Sequence, residues 1–131
     1  MDTEYREDRA LPRGQVIDLY RVNGWSAADK PDELMKALAG SDYVISAWDG
    51  DILAALGNAI TDGALVVYYP HLLVHPDYKR KGIGRAIMER MTKHYRHMHQ
   101  QVVIAEDPDA ASFYRSIGLQ EMPGSSAMAL Y

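Results

Sequence analysis

The sequence contains no cysteine among its 131 residues. That absence excludes disulfide bonds, thiolate-bound zinc, iron–sulfur clusters and a thiol nucleophile within this chain. Long apolar runs are also missing, since none approaches the roughly 20 residues that a membrane-spanning helix needs. The polar, acidic start MDTE does not resemble a signal peptide. We therefore expect a cytoplasmic protein with no membrane partner.

Basic residues are in the minority, with 14 Lys and Arg against 18 Asp and Glu, which gives a net charge of −4. This balance argues against a protein built for general nucleic-acid binding, so we expect no nucleic-acid partner. The sequence is 47% hydrophobic and 24% charged, as is typical of one globular domain with a sizeable core. No repeat or linker interrupts it, and we predict a single domain over residues 1–131.

Helical and extended patterns alternate along the chain. An apolar helical stripe that includes Val16, Leu19 and Tyr20 ends at Asn23, and a second helix follows Pro31. Strands are predicted at 42–48, 52–60, 64–69, 72–74, 101–105 and 126–131, with helices beginning after Gly82 and Asp107. The order predicts a mixed α/β (α+β) domain whose helices pack on a central sheet.

Pro70 interrupts the strand pattern between 64–69 and 72–74. Proline has no backbone N–H to donate to a neighbouring strand, so it indicates an edge, a bulge or a splay. Backbone groups near 69–73 are therefore expected to be free to bind a ligand.

A basic, glycine-containing turn opens the helix that follows Pro76. Such a turn collects unpaired backbone N–H groups at the positive end of the helix dipole, which suits a diphosphate or a phosphate ester. The dinucleotide and P-loop glycine patterns are both absent. The candidate ligands of the phosphate are Lys79, Arg80, Lys81, Gly82, Ile83, Gly84 and Arg85.

Two segments, VHPDYKRKGIG at 74–84 and DPDAASFYRSIGL at 107–119, together resemble the two core motifs of the GNAT superfamily of acetyl-CoA-dependent N-acetyltransferases. The resemblance, closest to small bacterial members, implies a mixed, largely antiparallel sheet with splayed middle strands and helices on both faces. It implies acetyl-CoA as co-substrate, bound by residues 42–131. The helical residues 1–41 would form the part that covers the acceptor substrate.

The same resemblance implies roles for individual residues. Leu72, Leu73 and Val74 match the splayed segment whose backbone binds the pantetheine arm and the acetyl carbonyl, and 80–85 match the pyrophosphate loop. Lys79 stands where glutamine or arginine is usual and still presents a cation.

Two residues of the second motif have alternative explanations. Asp107 occupies the position of an asparagine that contacts the cofactor arm, but helix capping alone would explain it. Tyr114 matches the tyrosine that protonates the departing CoA thiolate, although it also lies on the apolar stripe of its helix.

The absence of cysteine agrees with direct attack of an amine on the thioester, without a covalent enzyme intermediate. The general base is not evident, because the strand before the second motif carries no glutamate. His71 is the first candidate, since it lies at the predicted splay and titrates near neutrality. Glu106 and Asp62 are weaker candidates, and a chain of water molecules would need no side chain.

The acceptor is expected to be a small-molecule amine. Residues 20–25 and 44–50 resemble small bacterial GNAT proteins and, more weakly, plastid and cyanobacterial arylalkylamine acetyltransferases, which favours a pocket formed by the N-terminal helices and Tyr69. The alternative is a non-catalytic acyl-CoA-binding regulatory module.

No metal is expected, because His94, His97 and His99 lack metal-ligand spacing. Small domains of this kind often form homodimers.

Overall fold

The computed structural model describes residues 2–131, which form a six-stranded sheet with four α-helices. The strands are β1 (Thr3–Arg6), β2 (Tyr43–Asp49), β3 (Ile52–Thr61), β4 (Val66–Tyr68), β5 (Leu72–Val74) and β6 (Gln100–Val102). The helices are α1 (Arg13–Val22), α2 (Pro31–Gly40), α3 (Ile83–His94) and α4 (Pro108–Ser116), with short 3₁₀ turns at Ser26–Asp29 and Pro76–Tyr78. Within residues 2–131, every helix is too short or too polar to span a lipid bilayer.

The sheet is open and mostly antiparallel, as the resemblance implies. Its order is β1-β2-β3-β4-β6, and β5 also pairs with β3. Among the strands of residues 2–131, only β4 and β6 run parallel to each other. A parallel pair needs a long crossover connection, which here contains β5 and α3. The crossover carries α3 across one face of the sheet.

Helices cover both faces of the sheet because the central strands are buried on both sides. On β2, Ile45 and Ala47 belong to the core beneath α3, whereas Val44 and Trp48 belong to the core beneath α1 and α2. Strand side chains alternate between faces, and here both sets are apolar. The fold class predicted from the sequence is therefore confirmed.

A one-residue β-bulge separates β4 from β5. Ile60 lies opposite Tyr68 and Gly57 lies opposite Leu72, so three residue steps along β3 match four steps along the facing strands. The extra residue falls at 69–71, around Pro70. A bulge reverses which backbone groups face each neighbour, and bulges often lie next to active sites.

Two parts of the fold differ from the sequence-based predictions. Residues 1–41 are not purely helical, because Thr3–Arg6 pairs with β2 as an edge strand. The strand predicted at 126–131 is wrong, since this segment has no strand partner and Met128 and Leu130 are at least 91% exposed. Its alternating apolar residues favour an extended chain, but strand formation requires an adjacent edge that this segment does not reach.

Gly57 on β3 allows α3 to approach the sheet closely. A Cβ atom at this position would lie 2.5 Å from Met91 Cε and 2.9 Å from Ile87 Cγ2. Both distances are shorter than carbon atoms tolerate, so a larger residue requires the side chains of Met91 and Ile87, or α3 itself, to shift.

We expect Gly57→Ala to reduce the free energy of unfolding by about 1–3 kcal/mol through overpacking. Gly14→Ala is the matched control, because a Cβ there meets no atom within 4 Å and alanine favours the helix. Urea denaturation of both variants measures the difference. Equal stability of Gly57→Ala and the wild type would contradict the close packing of α3.

Candidate active site

The bulge creates an open backbone edge on β5. His71 O accepts a hydrogen bond from Asn58 N at 3.2 Å, and His75 N donates to Ala54 O at 2.8 Å, so residues 71, 73 and 75 pair with β3. Hydrogen bonds alternate along an antiparallel strand, which turns the N–H and C=O groups of Leu72 and Val74 to the opposite side. There, the last rung between the neighbouring strands is the bond from Tyr69 N to Val102 O, at 3.0 Å.

The helix that follows begins without a side-chain cap. Gly82, in the left-handed conformation with φ of 78°, precedes α3 and offers no capping group. The first helical hydrogen bond runs from Ala86 N to Gly82 O, at 3.0 Å. The N–H groups of Ile83, Gly84 and Arg85 therefore have no acceptor within the helix. They form a positively polarised site that suits an anion.

The basic residues around this turn differ in their partners. Lys79, Arg80 and Lys81 are exposed and form no ion pair within residues 2–131. Arg80 also has a φ of 64°, a conformation that is costly for a residue with a Cβ and is concentrated at functional sites. Arg85 instead forms an ion pair with Glu89 at 2.8 Å, so its positive charge is partly neutralised by that carboxylate.

The open edge and the uncapped helix lie side by side. A Cβ atom on Gly84 would lie 3.5 Å from Val74 Cγ2, 3.8 Å from Phe113 Cζ and 4.0 Å from Leu72 Cδ2. The start of α3 thus contacts the free strand edge and α4 at one point. A ligand with a phosphate end and a chain able to pair with backbone groups could span both.

Tyr114 of α4 packs beside the core beneath α3, where it is half-buried. Burial is the largest cause that raises the pKa of Tyr114 above its ordinary value, and electrostatic interactions with Tyr68 and Glu106 add to it. Its hydroxyl has no hydrogen-bond partner, yet no buried side-chain oxygen in residues 2–131 is unpaired, so the hydroxyl is accessible. Tyr114 also lines a cleft of about 880 Å³ between 100–105, α4 and 118–127. Tyr114 is therefore a protonated hydroxyl that a ligand can reach.

His71 is held by a chain of polar groups on the other side of the sheet. Its backbone N–H donates to Asn58 Oδ1 at 3.1 Å, and Asn58 Nδ2 donates to Ser41 Oγ at 3.1 Å. Its Nδ1 lies 2.8 Å from the hydroxyl oxygen of Tyr20. Burial lowers the pKa of His71, so the imidazole is neutral at neutral pH. The apolar stripe of α1 predicts only a packing role for Tyr20, and no sequence-based prediction includes Asn58. The signal for Asn58 is a polar side chain among apolar strand residues.

Trp25 completes an aromatic group with Tyr20 and His71. Its ring meets the His71 ring edge-on with centroids 5.0 Å apart, and the Tyr20 ring at 5.9 Å. Tyr69 does not join this group, because it is buried and its hydroxyl donates to Gln101. The prediction that Tyr69 lines an acceptor pocket is therefore wrong, since Tyr69 lies on the same face as Val67 of β4 and packs in the core beneath α3.

Two of the acidic candidates, Asp62 and Asp107, have structural partners. Asp62 Oδ1 accepts bonds from Ala64 N and Leu65 N, both at 2.8 Å, in the turn between β3 and β4. These bonds lower the pKa of Asp62, which makes it a poor base. Asp107 Oδ1 accepts from Ala110 N at 2.7 Å and caps α4.

One of the three histidines near the end of α3, His94, packs against an aromatic ring. His94 stacks on Tyr43 with ring centroids 4.2 Å apart. In the described part of the chain, no three His, Asp or Glu side chains converge as metal ligands would. That the protein works without a metal stays a prediction.

Because Asp107 caps α4, we expect Asp107→Ala to lower the free energy of unfolding by about 0.5–2 kcal/mol, while Asp107→Asn retains the cap. Thermal unfolding of the two variants without ligand measures this difference. Equal losses in both variants would show that the negative charge, rather than the capping oxygen, stabilises the helix.

Comparisons with known proteins agree with this geometry. The family model described as "Acetyltransferase (GNAT) domain" matches residues 12–128. The chain is similar to the "Uncharacterized N-acetyltransferase ycf52" of Porphyra purpurea, with 26% identity over 129 residues, covering 89% of this chain and 73% of that protein.

Solved structures share the fold. The GNAT family acetyltransferase SP0256 of Streptococcus pneumoniae has a TM-score of 0.86 and 26% identity, covering 99% of this chain and 98% of that one. AAC(6')-Iy, solved with the bisubstrate analogue CoA-S-monomethyl-acetylneamine, has a TM-score of 0.74 and 11% identity, covering 100% and 97%. The family model covers most of the sequence, and the site contains an uncapped helix start beside a free strand edge, so this chain belongs to the GNAT family of acetyl-CoA-dependent acetyltransferases.

Proposed function

We propose that the protein transfers the acetyl group of acetyl-CoA to a primary amine of a small molecule, by direct attack in a ternary complex. The observation that carries the proposal is the contact between the open edge of β5 and the uncapped start of α3. The two features present backbone donors and positive potential to one extended ligand.

We place the cofactor along these groups. Its pyrophosphate accepts hydrogen bonds from the free N–H groups of Ile83, Gly84 and Arg85. The positive charges of residues 79–81 add to the attraction. Its pantetheine arm pairs with the free backbone groups of Leu72 and Val74. The backbone of Leu73 faces β3, so we assign Leu73 to shaping the strand rather than to direct contact. Asp107 acts through its cap of α4.

The reaction needs no covalent enzyme intermediate. The amine lone pair forms a C–N bond with the thioester carbonyl carbon, and the resulting oxyanion is stabilised by N–H donors at the β5 edge. The C–S bond then breaks and the CoA thiolate takes a proton from the Tyr114 hydroxyl. The surplus proton on nitrogen passes to water, and solvent reprotonates Tyr114.

The environment of Tyr114 supports its role as the acid. Its raised pKa keeps the hydroxyl protonated at neutral pH, and its accessible oxygen lets the thiolate reach it. The negative charge of Glu106 also raises the pKa of Tyr114, so Glu106 influences the acid without contacting the reacting atoms.

The acceptor is proposed to approach from the α1 side of the sheet, where Trp25 and His71 meet. Residues 1–41, including β1, would form the covering part, and 42–131 the cofactor-binding core. A small-molecule acceptor is supported by AAC(6')-Iy, whose title names an acetylneamine analogue on this fold. A homodimer stays a prediction, supported by the exposed apolar residues Met128, Leu130 and Tyr131.

We expect acetyl-CoA to raise the midpoint of thermal unfolding, since a ligand at a hundredfold excess over Kd adds about 2.7 kcal/mol to the native state. CoA should raise the midpoint similarly, and NAD or ATP should not.

Gly82→Ala should reduce the shift caused by acetyl-CoA, because the φ of 78° at this position disfavours alanine at the phosphate turn. Gly63→Ala, with a φ of 80° in a distant turn, is the matched control. No shift at millimolar acetyl-CoA would overturn the cofactor site, and a shift without turnover of any amine would favour the non-catalytic module.

We expect Tyr114→Phe to lower kcat by about 10²–10⁴-fold through loss of the acid, with little change in the Kd of acetyl-CoA. The ring remains, so packing and stability should be preserved. Tyr43→Phe removes a hydroxyl bonded to Glu7 and serves as the control. Steady-state CoA release measures both variants, and an unchanged kcat in Tyr114→Phe would reduce Tyr114 to a core residue.

A further inference from the structure

The hydrogen bond between Tyr20 and His71 determines which imidazole nitrogen carries the proton. Tyr20 is fully buried, and within residues 2–131 its hydroxyl has only His71 Nδ1 as a partner, at 2.8 Å. If Tyr20 donates, its proton is paired and Nδ1 is the acceptor. If Nδ1–H donates instead, the hydroxyl proton is buried without an acceptor.

The second arrangement is strongly disfavoured. A buried donor without an acceptor raises the free energy of its tautomer, and the usual cost reduces the population of that tautomer by roughly 5- to 150-fold. Tyr20 cannot avoid the choice by ionising, because burial raises its pKa. The neutral imidazole therefore carries its proton on Nε2.

The Nε2 atom faces an accessible space. It has no hydrogen-bond partner, yet no buried side-chain nitrogen in the described residues is unpaired, so Nε2 is open to solvent. The backbone N–H of His71 donates to the side-chain Oδ1 of Asn58, and the His71 C=O accepts from Asn58 N, which holds the strand at this position. The Trp25 ring packs edge-on against the imidazole, with centroids 5.0 Å apart. Burial is the cause of the lowered pKa of His71, and Tyr20 is the titratable group that is hydrogen-bonded to it.

We propose that Tyr20 is a positioning residue that holds His71 as an Nε2–H donor, so that His71 hydrogen-bonds an oxygen of the bound substrates instead of acting as the general base. A base acting through Nε2 would need a lone pair on that nitrogen, which this tautomer lacks. The catalytic part rests on the proposed acetyltransferase reaction, whereas the tautomer itself does not.

Nitrogen-15 NMR of the histidine side chains tests the tautomer on the intact protein without any substrate. At pH 8, above the ordinary histidine pKa of about 6.5, we expect His71 Nδ1 to resonate as an unprotonated nitrogen and Nε2 as an N–H. His71→Gln identifies the signals by their loss. A protonated Nδ1 would overturn the proposal.

Variants of buried tyrosines test the part played by Tyr20. In Tyr20→Phe, the Nδ1 resonance should move toward the N–H range as the two tautomers exchange. Tyr95→Phe removes an equally buried hydroxyl, bonded to Asp42, and should leave His71 unchanged. If Tyr20→Phe also leaves Nδ1 unchanged, Tyr20 does not set the tautomer. Should Tyr20→Phe fail to fold, the wild-type spectrum still decides the protonation of Nδ1.

Kinetics separate the donor from the base. Glutamine supplies an N–H but cannot take a proton, so His71→Gln should retain at least about tenfold more activity than His71→Ala, and neither should remove an acidic limb of the kcat/KM profile. Loss of one oxyanion-type donor lowers kcat by about 10²–10³-fold. Equal loss in both variants, with a limb abolished, would overturn the donor role. A wild-type enzyme that turns over no amine would refute the proposed function and leave the NMR result standing.

Discussion

The one-residue bulge at 69–71 is the constraint on which the site depends. Before it, Tyr69 N bonds to Val102 O and β4 stays paired with β6. After it, His71 and His75 bond to β3, and the groups of Leu72 and Val74 lose their strand partner. Pro70, which has no N–H, lies within the bulge and cannot restore the ladder. The extra residue thus leaves the backbone groups of Leu72 and Val74 unpaired along this edge of β5.

Packing on both faces keeps that edge open. Beneath α3, Gly57 lets Met91 and Ile87 approach the sheet, which brings the start of α3 against Val74. On the other face, Leu73 and Tyr20 belong to the core beneath α1 and α2. The same short strand is therefore anchored from both sides while its backbone remains available. This rigidity matters because preorganised donors need no rearrangement when charge develops.

Much of the fold could be predicted from local sequence. Pro31 and Pro108 begin helices as expected, and the helical stripe with Val16 and Leu19 ends where Asn23 follows it. The short edge strand Thr3–Arg6 was missed because four residues carry little periodic signal and depend on pairing with β2. The segment 126–131 was misassigned for the opposite reason, since its pattern favours a strand but no neighbouring edge pairs with it. Tyr68 and Tyr69 are predicted to point to opposite faces, but only tertiary packing decides that Tyr69, together with Val67, is the buried one.

By itself, the sequence determined the family, the glycine turn with its cations, and the proline that interrupts the middle strand, because these depend on residue type and spacing within a few positions. Only the tertiary structure decided that Leu72 and Val74, rather than Leu73, face the open edge, since one residue of register reverses every backbone group. It also brought Tyr20, 51 positions away in sequence, to the imidazole of His71. No local pattern reports such a contact, because it arises from the packing of α1 on the sheet, and this packing determines which nitrogen of His71 holds the proton.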